Sequence, residues 1–226
     1  VVLCGINDMG RALKGDDEFM RNEFVKSTLN EKYASKGMPW YKRFEFMKLL
    51  KMGNVEPRID EIIQDEAGNW YKDIRLRRQK ALKHETISTP PENLNKALSQ
   101  YRIDLKSIVK VAKENGQKLL FLSQPTLYAK GMSNKLEKLL IQHISETLAH
   151  SPKVLADTMD AFNQTLSNFC RDEGIAFFDL DKHLPKDKTV FYDDCHFNTS
   201  GCIKVANLVF SELIKHIRAQ EEGGSI

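Results

Sequence analysis

The segment Lys118-Leu119-Leu120-Phe121-Leu122-Ser123-Gln124-Pro125-Thr126 decides the fold class. Its apolar run is continuous rather than alternating, which marks a strand covered on both faces, as in a parallel sheet. A helical pattern precedes it over roughly Glu92–Glu114. There Leu94, Leu98, Tyr101, Leu105, Ile108 and Val111 recur every three or four residues. Gly116 suits the left-handed position just past a helix end. The same unit recurs downstream: a helix over Val154–Arg171, then Gly174, then the apolar run Ile175–Phe178. A further buried strand is expected at Val1–Cys4. A last helix, Cys202–Ile217, carries Val205, Leu208, Val209, Leu213 and Ile217. Helix alternating with buried strand predicts an α/β protein with a parallel sheet.

The 226 residues suffice for one ordinary domain. Hydrophobic residues make up 41% and charged residues 29%, a balance that reads as globular. No apolar stretch is long enough to span a membrane. A formal charge of +3 is too small to argue for nucleic acid. Cys4, Cys170, Cys195 and Cys202 have no zinc-like spacing and suggest no disulfide framework. The opening run Val1-Val2-Leu3-Cys4-Gly5 lacks a Met start, a signal peptide and a polar arm. A strand that buries both faces needs neighbours, so the sequence is expected to begin part-way through its fold.

Residues 11–90 contain no clear strand and are expected to form a helical insertion. Within them Trp40, Tyr41, Phe44, Phe46, Met47, Leu49 and Leu50 interleave with Lys42, Arg43, Lys48 and Lys51. That pattern suits a helix packed on the sheet domain, or a basic amphipathic helix on a membrane or acyl pocket. The basic run Lys72, Arg75, Arg77, Arg78, Lys80, Lys83 reads as a solvated helix face rather than a phosphate site. Residues near 126–153 read as a second, polar and helical insertion, and the tail from Glu221 as disordered.

Two motifs carry chemistry. Asp193-Asp194-Cys195-His196-Phe197-Asn198-Thr199-Ser200-Gly201 runs directly into the last helix. A carboxylate three residues before a loop histidine can reach back to Nδ1, fixing the tautomer and leaving Nε2 to take a proton. Asp194 competes for that role at a less favourable spacing. Asn198, Thr199 or Ser200 can cap the helix. Taken alone, this also fits a loop histidine bonded locally beside a cap. The second motif, Gly5-Ile6-Asn7-Asp8, follows the first strand. Glycine there permits close backbone approach, and the Asn7 side-chain amide can donate to an oxyanion. Ligands in parallel α/β sheets bind at the carboxyl ends of strands. Alone, this motif also fits a turn that caps the next helix.

Together, in this order, the two motifs resemble the SGNH (GDSL-type) hydrolase family. Gly5, Asn7 and Asp8 match its third block, and Asp193, His196 and Gly201 its fifth. The strand ending in Ser123-Gln124-Pro125-Thr126 and the unit from Ala161-Phe162-Asn163 to Asp179-Leu180 also look like it. The resemblance covers residues 1–10 and roughly 92–218. It implies a three-layer α/β/α, flavodoxin-like parallel sheet, N-terminally incomplete. Residues 1–218 would be one domain, 11–90 its helical insertion and 219–226 a disordered tail. It further implies hydrolysis of a small-molecule, glycan or lipid ester through a serine acyl-enzyme, with no cofactor and no metal. His196 would be general base, Asp193 its orienter and Asn7 an oxyanion donor, with Gly5 and Asp8 beside the substrate. Cys195 would be a packing residue or an incidental thiol.

The sequence departs from the family in one respect: it contains no Gly-Asp-Ser. The nucleophile and the second-block glycine are therefore expected upstream of Val1, and this chain alone is expected to be inactive. Gly131-Met132-Ser133-Asn134-Lys135 is half of a Gly-x-Ser-x-Gly elbow, but with Glu137 it reads as a capping box. Ser123 is expected to be a loop residue near the site. An SGNH-like O-acetyltransferase or a non-catalytic carbohydrate-binding relative would share the motifs. A nucleotide-binding module is the remaining alternative, because Gly5 and Gly10 keep a phosphate-loop frame without its Lys and Ser/Thr. His143 and His150 share a helix face only loosely and there is no His-Glu-x-x-His, so metal catalysis is not expected.

Overall fold

A computed structural model describes residues 1–15 and 59–223. The chain divides into two compact units, Val1–Asp16 with Ile74–Ile226, and Asp17–Asp73. The aromatic-basic stretch at 40–51 and the end of the tail, 224–226, lie outside the described residues. In chain order the elements are strand β1 (Val2–Leu3), helix α1 (Ile6–Lys14), α2 (Ile59–His84), β2 (Glu85–Ile87), α3 (Leu94–Glu114) and β3 (Leu120–Leu122). They continue with α4 (Asn134–Glu137), β4 (Leu148–His150), α5 (Pro152–Glu173), β5 (Ala176–Phe178), a 3₁₀ turn (Leu180–His183) and α6 (Thr199–Gly223). The protein is mixed α/β, and among the described residues every strand ladder is parallel.

Strand β3 is central, with β1 on one side and β5 on the other, in register Val2 with Phe121 and Phe121 with Phe177. Central placement explains the continuous apolar run: Phe121 is wholly buried, its ring edge-on to Phe169 of α5 at 6.5 Å between centroids. Helices α1, α3 and α5 pack on one another. Tyr101 of α3 meets Phe162 of α5 edge-to-face at 5.2 Å. The buried stripe of α3 is Ala97, Tyr101, Leu105, Val109 and Ala112. Ile108 and Val111, expected on that face, are exposed instead, because the steps of four residues from Ala97 carry the stripe round to Val109. Ser151 caps α5 by accepting from Val154 N–H at 3.3 Å, with Pro152 at the first helical position. Gly174 closes it at φ 65°, the left-handed turn that glycine takes without a Cβ clash.

Strand β1 is not buried on both faces as expected, because it lies at the sheet's edge with Leu3 41% exposed, and three further expectations are corrected. Residues 11–90 do contain a strand: β2 pairs in parallel with β4 as a second, two-stranded sheet. At three residues, Glu-Thr-Ile is too short to show a period. Residues 126–153 are not a polar helical insertion either. Only α4 and the first residues of α5 are helical there, His143 lies outside any helix and His150 lies in β4, while Leu127, Tyr128, Leu140 and Ala149 are core. Ser133, not Asn134, stands at the cap position of α4, and its side chain makes no capping bond. The third correction concerns the basic run, which is not simply a solvated face. Arg78 is fully buried, donating to the main-chain carbonyl of Gln142 and, at 3.0 Å, to that of His150. Arg75 donates to the carbonyls of Leu139 and Tyr192 at 3.3 and 2.7 Å.

Past β3 the chain stays buried from Ser123 to Tyr128, so its backbone groups need partners. Asn163 of α5 supplies two: its carbonyl accepts from Gln124 N–H at 2.8 Å and its amide donates to Gln124 C=O at 3.0 Å. Asn163→Ala is expected to orphan both groups and cost about 2 kcal/mol. The loss should appear in urea melts as a lower midpoint at unchanged slope.

Candidate active site

Residues 190–198 fold back on themselves ahead of α6. Asn198 N–H donates to Val190 C=O at 2.9 Å, and Tyr192 N–H donates to His196 C=O at 2.8 Å. Phe191 and Phe197 form an antiparallel bridge with ring centroids 5.6 Å apart. Asn198 caps α6, its side-chain carbonyl accepting from Gly201 N–H at 2.8 Å. Among the residues suited to that role, Asn198 takes it because its backbone is already tied to Val190. Gly201 lies against the hairpin base: a Cβ there would sit 2.1 Å from the Val190 carbonyl oxygen.

At the tip, His196 Nδ1 lies 2.9 and 2.8 Å from the two oxygens of Asp193. The carboxylate only accepts, so Nδ1 carries the proton and Nε2 is left with its lone pair. Asp193 is fully buried and its Oδ1 also accepts from the N–H groups of Cys195 and His196, each at 3.0 Å. The imidazole itself is exposed, with 63% of its side-chain surface accessible. Among the described residues no group bonds Nε2. A histidine oriented by a buried carboxylate, with its second nitrogen open, is arranged to accept a proton from an external donor.

Asp194 points the other way. Its Oδ2 accepts from Ile141 and Gln142 N–H at 3.0 and 2.9 Å, and its main-chain carbonyl accepts from Leu127 N–H at 2.8 Å. Burial pushes its carboxyl up to about 7, although the Arg78 cation favours the ionised form. Burial likewise lowers the Arg78 guanidinium. Burial and the neighbouring Asp193 and Asp194 push the Cys195 thiol up to about 12, which favours the thiol over the thiolate. Asp193, Cys195 and His196 offer donor atoms within 4.8 Å of one another. Here the carboxylate and Nδ1 are engaged with each other at 2.8 Å, and the Cys195 Sγ lies 3.9 Å from the same Nδ1.

The other motif follows β1, which is parallel to β3. Asn7 is exposed in the first turn of α1 and Asp8 is half-buried, its carboxyl raised by burial. Gly5 is buried at φ 120°, and a Cβ there would meet Tyr101 Oη at 3.3 Å and Met159 at 3.4 Å. The close approach that requires glycine is therefore to the protein's own α3 and α5. The Asp193–His196 hairpin hangs from Leu127, five residues beyond the carboxyl end of β3. The first motif thus follows the carboxyl end of β1, and the second is tied to the segment that follows β3. A cavity of about 290 Å³ lined by Val109, Lys113, Lys118 and Ile175 lies at the opposite, amino ends of β3 and β5.

Ser123, expected only as a loop residue near the site, joins two elements: its Oγ donates to Asp179 at 2.8 Å and accepts from Asp181 N–H at 2.9 Å. Sequence reasoning names Asn163, Arg75 and Arg78 but misses their hydrogen bonds to distant backbone. No protein family, no curated protein and no solved structure matches this chain.

Two outcomes are expected. Gly201→Ala forces the α6 start away from Val190 and should lower stability by about 1–3 kcal/mol in thermal or urea melts. Asp194 has a folded-state value near 7 against an ordinary 3.8, so the fold binds its proton more tightly than the unfolded chain. Its contribution is complete below about pH 4 and is lost as pH rises through 7. Urea melts across that window should fall for the wild type relative to Asp194→Asn.

Proposed function

We propose that this chain carries the acid–base half of a serine ester hydrolase on a three-layer α/β/α sheet of the SGNH kind. The observation that supports it is the His196–Asp193 pair: Nδ1 held by a buried carboxylate at 2.8 Å, in an imidazole whose other nitrogen is open to solvent. The sequence holds no Gly-Asp-Ser, so the nucleophilic hydroxyl would come from chain outside these 226 residues. In that scheme the serine oxygen attacks the ester carbonyl while its proton passes to His196 Nε2. The imidazolium is stabilised by Asp193, which keeps its charge. The tetrahedral oxyanion takes a hydrogen bond from the Asn7 amide. Collapse breaks the acyl–oxygen bond, and His196 returns the proton to the leaving alcohol. Water then repeats the sequence on the acyl-serine. The exposure of Asn7 and His196 is compatible with a substrate reaching both.

The test is fluorophosphonate labelling and p-nitrophenyl acetate hydrolysis by the native full-length protein. His196→Ala should abolish labelling and reduce turnover about ten-thousand-fold. Asn7→Ala should reduce turnover about a hundred- to a thousand-fold. Labelling that persists in His196→Ala would overturn the assignment of the base.

A further inference from the structure

The two adjacent aspartates divide one task. Asp193 turns inward to the loop's own N–H groups and to the imidazole; Asp194 turns outward to the scaffold. One oxygen of Asp194 collects two successive amides, Ile141 and Gln142, while its main chain holds Leu127. Residue 194 is thereby fixed on two sides, and the next residue back along the chain is the imidazole's partner. Behind the 141–142 amides stands Arg78, wholly buried, gripping the carbonyls of Gln142 and His150. Side-chain atoms of these same residues are buried without a partner: Arg78 Nε, Gln142 Nε2, His150 Nδ1 and Asp194 Oδ1. Scaffold packing alone would not favour so polar a set. Nothing in it touches the space in front of His196 Nε2, so its connection to the imidazole runs through the loop backbone.

We infer that Asp194 is a positioning residue for the Asp193–His196 pair, setting the loop register through its Ile141 and Gln142 hydrogen bonds, with Arg78 holding the segment that supplies them. This deepens the hydrolase proposal and rests on it for its catalytic meaning. The geometry it asserts can be read without any ester.

Long-range ¹H–¹⁵N spectra of the histidine-labelled chain report the tautomer of His196 directly. In the wild type a single Nδ1–H form is expected. Asp194→Asn keeps a carbonyl acceptor for the two amides and should retain that form. Asp194→Ala removes the acceptor and should give a mixture of tautomers with a broadened Nδ1–H resonance. An unchanged single tautomer in a folded Asp194→Ala, or its loss in Asp194→Asn, would overturn the inference. Native-state hydrogen exchange of the wild type tests the same point without a variant. The amides of Ile141, Gln142, Cys195 and His196 should open together as one unit. Rapid exchange at Cys195 and His196 beneath persistent protection at Ile141 and Gln142 would refute the coupling. If the tautomer behaves as expected while the full-length protein fails to react with fluorophosphonate, the hydrolase proposal falls and the positioning role stands.

Discussion

Everything around the candidate site depends on how the buried backbone from Ser123 to Leu127 finds its hydrogen-bond partners. A chain leaving the centre of a sheet normally reaches water within a residue or two; this one does not. Ser123 N–H goes to Phe178 C=O, Gln124 N–H to Asn163, Thr126 N–H to Asp181 and Leu127 N–H to Asp194 C=O. Pro125 has no N–H to place. Each partner comes from a different element: the end of β5, the middle of α5, the 3₁₀ turn and the hairpin before α6. Because an unpaired buried amide is costly, these elements are held together by one requirement. The hairpin carrying His196 is the last of them. Lys186 closes the set, donating to Thr126 C=O at 3.1 Å and to Asp181 at 2.7 Å.

The electrostatic layout follows the same order. The fully buried Asp193 is satisfied by three donors from its own loop and needs no distant cation. Asp194, just as buried, is satisfied on one oxygen only, and Arg78 provides the nearby positive charge. A buried guanidinium that binds two main-chain carbonyls keeps its charge, and that fixed cation favours ionised Asp194 against the opposing effect of burial. The pair that faces solvent thus takes its own hydrogen bonds from its loop, whereas Asp194 and Arg78 behind it bond to the 141–150 segment.

What could be seen in the sequence was what local pattern and spacing encode. The continuous run through Phe121 and Leu122 marked a doubly covered strand. Gly174 marked a helix end, and the three-residue step from Asp193 to His196 marked a reachable carboxylate. What could not be seen depended on tertiary placement. Arg78 is one cation among several on α2, and nothing about its neighbours in sequence says that it alone is enclosed. Strands β2 and β4 are too short for a period of two to register, and they exist by pairing with each other. Asn163 looks like an ordinary helix residue until Gln124 is placed opposite it. Spacing favoured Asp193 over Asp194, but it could not show where Asp194 turns instead, because its partners are the amides of Ile141 and Gln142, far away in sequence.

The closeness of Asp193 and His196 along the chain has a consequence of its own. Many acid–base pairs are assembled from distant segments, and each then carries the entropy of closing a long loop. Here the partners are three residues apart in sequence, so the local chain concentration of carboxylate around the imidazole is high even where tertiary structure loosens. The two groups form a low-contact-order unit that can be displaced as a whole without being separated. Loss of function from a lesion beyond the hairpin and its Asp194 anchor would then come first through misplacement of an intact pair relative to the substrate, and only later through dissolution of the pair itself.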